Sequence, residues 1–295
     1  MTTASSLARL FLAVSLSGVA VGLGCFTLHA QPAASGRPIK IAIVGDSTVA
    51  NYNETDVLRG WGQMLHEFFT PGTQVDNFAE NGRSTKTFFQ TPHWKQALDD
   101  KPDFIFIQFG HNDSHTPAAQ HPEATRADGD YMDNLRKYVT DARGVGAMPV
   151  FVTPMHRRTF QPDGTMTQEL LPYVQAMKKV GLEMKVPVID LYAKSGDLFT
   201  KLGDTASAAF TPKDRTHFSA MGARVMAFFV AQGAAGVDDR LKSAEVTPLP
   251  DPTTGLKADA GGTSAPAASD HSTTPEATMK SEVPPPSKAS SEQAP

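Results

Sequence analysis

Between residues 36 and 237 the chain alternates short, almost unbroken apolar runs with longer stretches that keep one apolar face. Ile39–Val44, Thr73–Asn77, Phe104–Gln108, Pro149–Thr153 and Val186–Ile189 are predicted strands. The runs IAIV, FIFIQ and VFVT lack polar alternation, as strands covered on both faces must. Helices are predicted near Trp61–Phe69, Trp94–Asp99, Tyr131–Gly144, Leu170–Lys185 and Ala220–Gln232, with Phe68, Phe69, Phe228 and Phe229 as core positions. Strands separated by helices of this length predict an α/β fold, a three-layer α/β/α sandwich around a five-stranded parallel sheet with right-handed crossovers. Ligands of such sheets sit beyond the carboxyl ends of the strands, so the residues just after each strand are the ones to inspect.

The two ends break the pattern. Residues 1–30 carry one basic residue, Arg9, and then an uncharged apolar run, Leu10–Phe26. This reads as a secretory signal peptide with cleavage after Ala30, which makes the protein secreted or periplasmic. Gly22-Leu23-Gly24-Cys25 offers an alternative, lipid attachment at Cys25. Residues 242–295 contain no Phe, Tyr or Trp and are dominated by Ala, Ser, Thr, Pro, Glu and Lys, so a disordered low-complexity tail is expected. About 205 residues remain, enough for one domain with a sizeable core. Lys and Arg total 27 against 31 Asp and Glu, a net charge of -4 that exerts no long-range pull on nucleic acid or anionic membrane. The single cysteine excludes a disulfide scaffold within the chain, and a monomer is expected.

Chemistry-bearing residues cluster at the strand ends. Gly45-Asp46-Ser47-Thr48 follows the first strand, Asn81-Gly82-Arg83-Ser84 the second and Gly110-His111-Asn112-Asp113 the third. Asp214-Arg215-Thr216-His217-Phe218 stands just ahead of the last helix. A serine hydroxyl needs a neighbouring base to become a nucleophile, and an imidazole serves when a carboxylate fixes its tautomer. Ser47, His217 and Asp214 supply these parts. An attacked ester builds negative charge on its carbonyl oxygen, for which the Ser47 N–H, the Gly82 N–H and the Asn112 amide are candidate donors. Asp46, beside the serine, reads as a turn carboxylate rather than the acid of the triad.

These blocks, a Ser in a Gly-Asp-Ser context followed by Gly, Asn and His, resemble the SGNH (GDSL-type) hydrolase superfamily across about residues 38–234. Gly60-Trp61-Gly62-Gln63, Asn81-Gly82-Arg83-Ser84, Gly110-His111-Asn112-Asp113, Thr153-Pro154-Met155-His156-Arg157-Arg158 and the Asp214–Phe218 block are similar to rhamnogalacturonan acetylesterases. The resemblance implies a flavodoxin-like sandwich and a serine esterase that deacetylates pectin or another plant cell-wall polysaccharide. It further implies Ser47 as nucleophile, Asp214 and His217 as its partners, and Gly82 and Asn112 as oxyanion donors.

Other readings attach to the same residues. Arg83, Arg157 and Arg158, with His111, are candidate contacts for the substrate, because guanidinium groups grip galacturonate carboxylates in bidentate fashion. Trp61 suits either a sugar-stacking or, as preferred, a packing role. His111, Asp113, His115 and His156 suggest a metal site, but Gly110 and Asn112 already account for that block as an oxyanion loop, so no metal or cofactor is expected. Alternatives for function are an esterase acting on acetylated xylan, another glycan or a short acyl lipid or thioester, or a catalytically silent glycan-binding protein.

Overall fold

The computed structural model describes residues 38–257; the predicted leader with Cys25, and the tail beyond Lys257, lie outside them. The apolar runs become β1 (Lys40–Gly45), β2 (Gln74–Asn77), β3 (Phe104–Gln108), β4 (Met148–Val152) and β5 (Val188–Ile189). All neighbours pair in parallel, in the order β2-β1-β3-β4-β5. The register matches Ile41 with Phe104 and Phe104 with Met148, which stacks the apolar runs side by side.

Alternate residues of each strand feed two separate cores. Ile41, Ile43, Phe104, Phe106, Val150 and Val152 face α1 (Trp61–Met64, continued as a 3-10 turn over Leu65–Phe68), α5 (Leu191–Ser207), α6 (Ala220–Ala234) and α7 (Asp239–Ala244). Ala42, Val44, Ile105, Ile107 and Phe151 face α2 (Pro92–Asp99), α3 (Asp130–Gly144) and α4 (Leu171–Met184). The result is a three-layer α/β/α sandwich. Because β1 leads outward to β2 while β3 starts the other half of the sheet, the topological switch lies between the ends of β1 and β3. Ser47 and Asn112 follow those two ends.

Three elements depart from the sequence pattern, each for a local reason. β5 is shorter than Val186–Ile189 because Val186 N–H is taken by Gly181 O (2.8 Å), closing α4 over the left-handed Lys185 (φ 52°). The unpredicted α5 carries Gly196 and Gly203, the latter at φ 80° and non-helical, which masks its periodicity. The fold also runs past the expected start of the tail at 242. Asp238 caps α7, accepting from Arg240 N–H (2.9 Å), and Leu241 and Ala244 are buried against the sheet. Ala244 O accepts from Thr70 N–H (2.7 Å), and Leu249 and Leu256 pack on the same core. Two or three apolar side chains suffice to dock such a segment. Among the described residues no helix is long and apolar enough to cross a membrane.

Candidate active site

The turn after β1 is built around Asp46. Its carboxylate is fully buried and accepts from the Thr48 N–H (2.9 Å) and the Thr48 hydroxyl (2.7 Å), as a turn-forming Asp does. Burial alone would raise its pKa, but the facing His111 ring and the two Thr48 donors hold it below the usual carboxylate range. Gly45 is required by packing: a Cβ there would lie 2.7 Å from Gln108 O and 2.7 Å from a Val49 methyl. The Ser47 carbonyl accepts from the Tyr52 hydroxyl (2.8 Å). Burial, with Asp46 and Asp56 nearby, pushes the Tyr52 phenol up, so it remains a donor.

Ser47 Oγ–H donates to His217 Nε2 over 2.8 Å, although 170 residues separate the two in the chain. On its far side the ring donates from Nδ1 to Asp214 Oδ2 at 2.7 Å. This bond puts the proton on Nδ1 and leaves the Nε2 lone pair facing the serine. The carboxylate is fixed by its own loop, for Asp214 Oδ1 accepts from the Thr216 N–H (2.6 Å) and the His217 N–H (2.7 Å). Partial burial works to raise the Asp214 pKa, but these three hydrogen bonds outweigh it and hold the carboxyl well below its usual range. An ionised carboxylate, an oriented imidazole and a serine hydroxyl thus line up at the switch point of the sheet.

The other two expected donors, Gly82 and Asn112, come from the neighbouring turns. Gly82 sits at φ 74°, a left-handed conformation that L side chains avoid. A Cβ at Gly82 would meet nothing within 4 Å, so backbone conformation, not crowding, is what calls for glycine. The Asn112 amide donates one N–H to the Arg83 carbonyl (2.9 Å), which ties the turn after β3 to the turn after β2 and leaves the amide a second N–H. Asp113 accepts from the Thr85 N–H (3.1 Å) and the Thr125 hydroxyl (2.8 Å). Burial pushes its pKa up to about 7 against the pull of those hydrogen bonds.

Each of the expected substrate contacts has partners within the protein. His111 is 3% exposed, with Nδ1 3.3 Å from Asp46 Oδ2 and Nε2 3.2 Å from the Met155 carbonyl. It supports the Asp46 turn from inside the protein and offers no nitrogen to a ligand. Arg83 is paired with Glu80. Arg157 stands 3.3 Å from Glu169 and donates to His111 O (3.0 Å) and Thr216 Oγ1 (3.3 Å), so it fastens the turn after β3 to the Asp214–His217 loop. Arg158 is buried, donating to Thr211 Oγ1 (2.9 Å) and pairing with Asp204. Trp61 is fully buried and its indole N–H donates to Gln108 Oε1 (2.7 Å). The four residues weighed for a metal do not converge: His156 stacks on Tyr192 (4.5 Å between rings), and His115 pairs with Glu123.

Residues 43–225 match the GDSL-like Lipase/Acylhydrolase family. The chain belongs to that family. As a GDSL-like acylhydrolase it is a carboxylic ester hydrolase. It is 35% identical over 214 residues to the rhamnogalacturonan acetylesterase RhgT of Bacillus subtilis, a match spanning 67% of this chain and 90% of the relative. It is 26% identical over 229 residues to an acetylxylan esterase of Xylanibacter ruminicola, spanning 69% of this chain and 45% of that protein. Among solved structures, the YxiM protein of Bacillus subtilis superposes with a TM-score of 0.60 at 25% identity, covering 70% of this chain and 58% of that one.

One part of this GDSL-like site escapes a reading of motifs. Trp61 Nε1–H donates to Gln108, Gln108 Nε2–H donates to Thr48 Oγ1 (2.7 Å), and Thr48 Oγ1–H donates to Asp46. This buried relay joins α1, the end of β3 and the serine turn. Its sequence signal is a lone polar residue, Gln108, closing an otherwise apolar strand.

Proposed function

We propose that this hydrolase removes acetyl groups from a plant cell-wall polysaccharide, with rhamnogalacturonan as the substrate class. The observation that carries the chemistry is the Ser47–His217–Asp214 chain, with links of 2.8 and 2.7 Å. The substrate class is supported by the relatives, which are named for acetylated rhamnogalacturonan and acetylated xylan.

In this reading Ser47 Oγ attacks the acetyl carbonyl while His217 Nε2 takes its proton, and Asp214 stabilises the imidazolium that forms. The Ser47 N–H, the Gly82 N–H and the free N–H of Asn112 receive the negative charge on the carbonyl oxygen. Collapse of the tetrahedral intermediate expels the sugar alkoxide, which His217 protonates. Water, deprotonated by His217, then releases acetate from the acetyl-serine. A polymer substrate is met outside the cell, which fits an apolar leader over residues 10–26 acting as an export signal; the N-terminal residue of the mature protein tests it.

The deciding experiment measures acetate release from acetylated rhamnogalacturonan, acetylated xylan and acetylated mannan, with Ser47→Ala as control. The expected result is highest kcat/KM on rhamnogalacturonan and none in the control. A higher kcat/KM on xylan would transfer the assignment to that polymer. Faster hydrolysis of nitrophenyl octanoate than of nitrophenyl acetate would overturn the acetylesterase reading in favour of a lipase. Turnover surviving in Ser47→Ala would overturn the mechanism.

A further inference from the structure

The connection from β3 to α3 leaves the site at Asn112 and returns to the fold at Thr125. Its two stems are pinned together: Thr125 N–H donates to Asp113 O (3.0 Å), and the Tyr173 hydroxyl contacts Asp113 O (3.0 Å) and Thr125 O (2.6 Å). Further out, backbone hydrogen bonds only close small turns, such as Gln120 N–H to Pro117 O (3.0 Å) and Ala124 N–H to His121 O (2.9 Å). What crosses the loop there is a three-residue cluster. His115 Nδ1 and His121 Nδ1 lie 2.7 and 3.0 Å from the same oxygen, Glu123 Oε1, and the two rings stand 4.9 Å apart.

Two imidazoles and a carboxylate are a ligand set that borderline transition-metal ions favour. The spacing also fits. Bonds of about 2.0–2.1 Å around a tetrahedral ion place neighbouring donors roughly 3.3 Å apart, and all three ligand atoms already fall within 4.8 Å of one another. The side chains are about one-third exposed at both histidines and less so at Glu123, so an ion reaches the cluster without opening the fold. To bind, each imidazole moves its proton from Nδ1 to Nε2 and turns a lone pair inward, and one coordination position remains for water.

We propose that His115, His121 and Glu123 form a binding site for a divalent transition-metal ion, zinc by ligand chemistry, which clasps the outer half of the β3–α3 loop. The site is separate from the Ser47–His217–Asp214 chain and supplies nothing to ester hydrolysis. It acts on the loop that begins at the oxyanion donor Asn112, so its effect is on the stability of that loop.

The test uses the whole chain, stripped with a chelator and titrated with Zn²⁺ by calorimetry, with melting temperature followed in parallel. One equivalent is expected to bind and to raise the melting temperature. His121→Ala and Glu123→Gln should each weaken binding by about tenfold or more, while His66→Ala, on a different face, binds as the parent does. Because these side chains lie on a surface loop, the stripped variants should melt with the stripped parent, which separates lost ligation from lost folding. Absence of stoichiometric uptake by the parent at 100-micromolar-scale zinc (~100 μM), or uptake undiminished in His121→Ala and Glu123→Gln, overturns the proposal.

Discussion

At the scale of single residues, the proposed chemistry separates groups that react from groups that hold them. Replacing Ser47 or His217 by Ala is expected to lower turnover by about 10⁶, and the double variant by no more than either alone, because the two act as one unit. Asn112→Ala should cost roughly 10²–10³ in kcat, as loss of one oxyanion donor does; steady-state kinetics on nitrophenyl acetate checks both. Acid response follows from Asp214. Its carboxyl is held well below the usual range, so it stays ionised while the medium turns moderately acidic. Asp214→Asn should therefore lower kcat by roughly 10⁴ across that range, by loss of the correct tautomer. Asp113 has the opposite sign. With its folded pKa raised to about 7 by burial, the folded protein holds a proton that the unfolded chain releases above about 4. Its contribution is therefore present below that value and lost as pH rises through 7. The melting temperature of the parent should fall relative to Asp113→Asn between pH 5 and 8, and a constant difference would refute this.

At the scale of elements, what could be read in advance was the alternation of buried strands with amphipathic helices and the blocks at strand ends. FIFIQ forms β3 over the residues the pattern marks, because a strand with helices on both faces has no polar side to blur it. α5 was hidden by its two glycines, and the second turn of α1 tightens into 3-10 geometry that a 3.6-residue period does not describe. Within the candidate site, the hydrogen-bonded trio of Ser47, His217 and Asp214 stood out in the sequence because a hydroxyl, an imidazole and a carboxylate at strand ends are chemically distinctive types. The protein partners of Arg83, Arg157 and His111 did not, since a guanidinium or imidazole near a cleft reads the same whether it faces a ligand or a neighbouring loop. Close packing of α1 against the serine turn gives an element-level prediction. A Cβ at Gly60 would lie 2.3 Å from Ala50 O and 2.3 Å from Val49 C, backbone atoms that cannot swing aside. Gly60→Ala should destabilise by on the order of 3 kcal/mol, whereas Gly72→Ala, whose Cβ meets nothing within 4 Å, should leave the denaturation midpoint nearly unchanged.

At the scale of the whole molecule, the fold reaches further along the chain than composition suggests. A chain ending at Val237 lacks Leu241 and Ala244 and exposes the apolar surface they cover next to Phe68 and Phe69. It should melt about 5–10 °C below a chain ending at Lys257. Both should show the same kcat at 25 °C, since the removed segment contacts Phe68, Thr70 and Phe104, and Phe104 begins β3 whereas Ser47 follows the carboxyl end of β1; a large loss of kcat in the shorter chain would show that the C-terminal segment also shapes the site.

The distance along the polypeptide between Ser47 and His217 has a consequence for timing. During synthesis the alcohol emerges early and its proton acceptor only after most of the enzyme has left the ribosome. A nascent chain that stops short of His217 therefore lacks the base the proposed chemistry requires, and the serine gains its proton acceptor only when the Asp214–His217 loop docks.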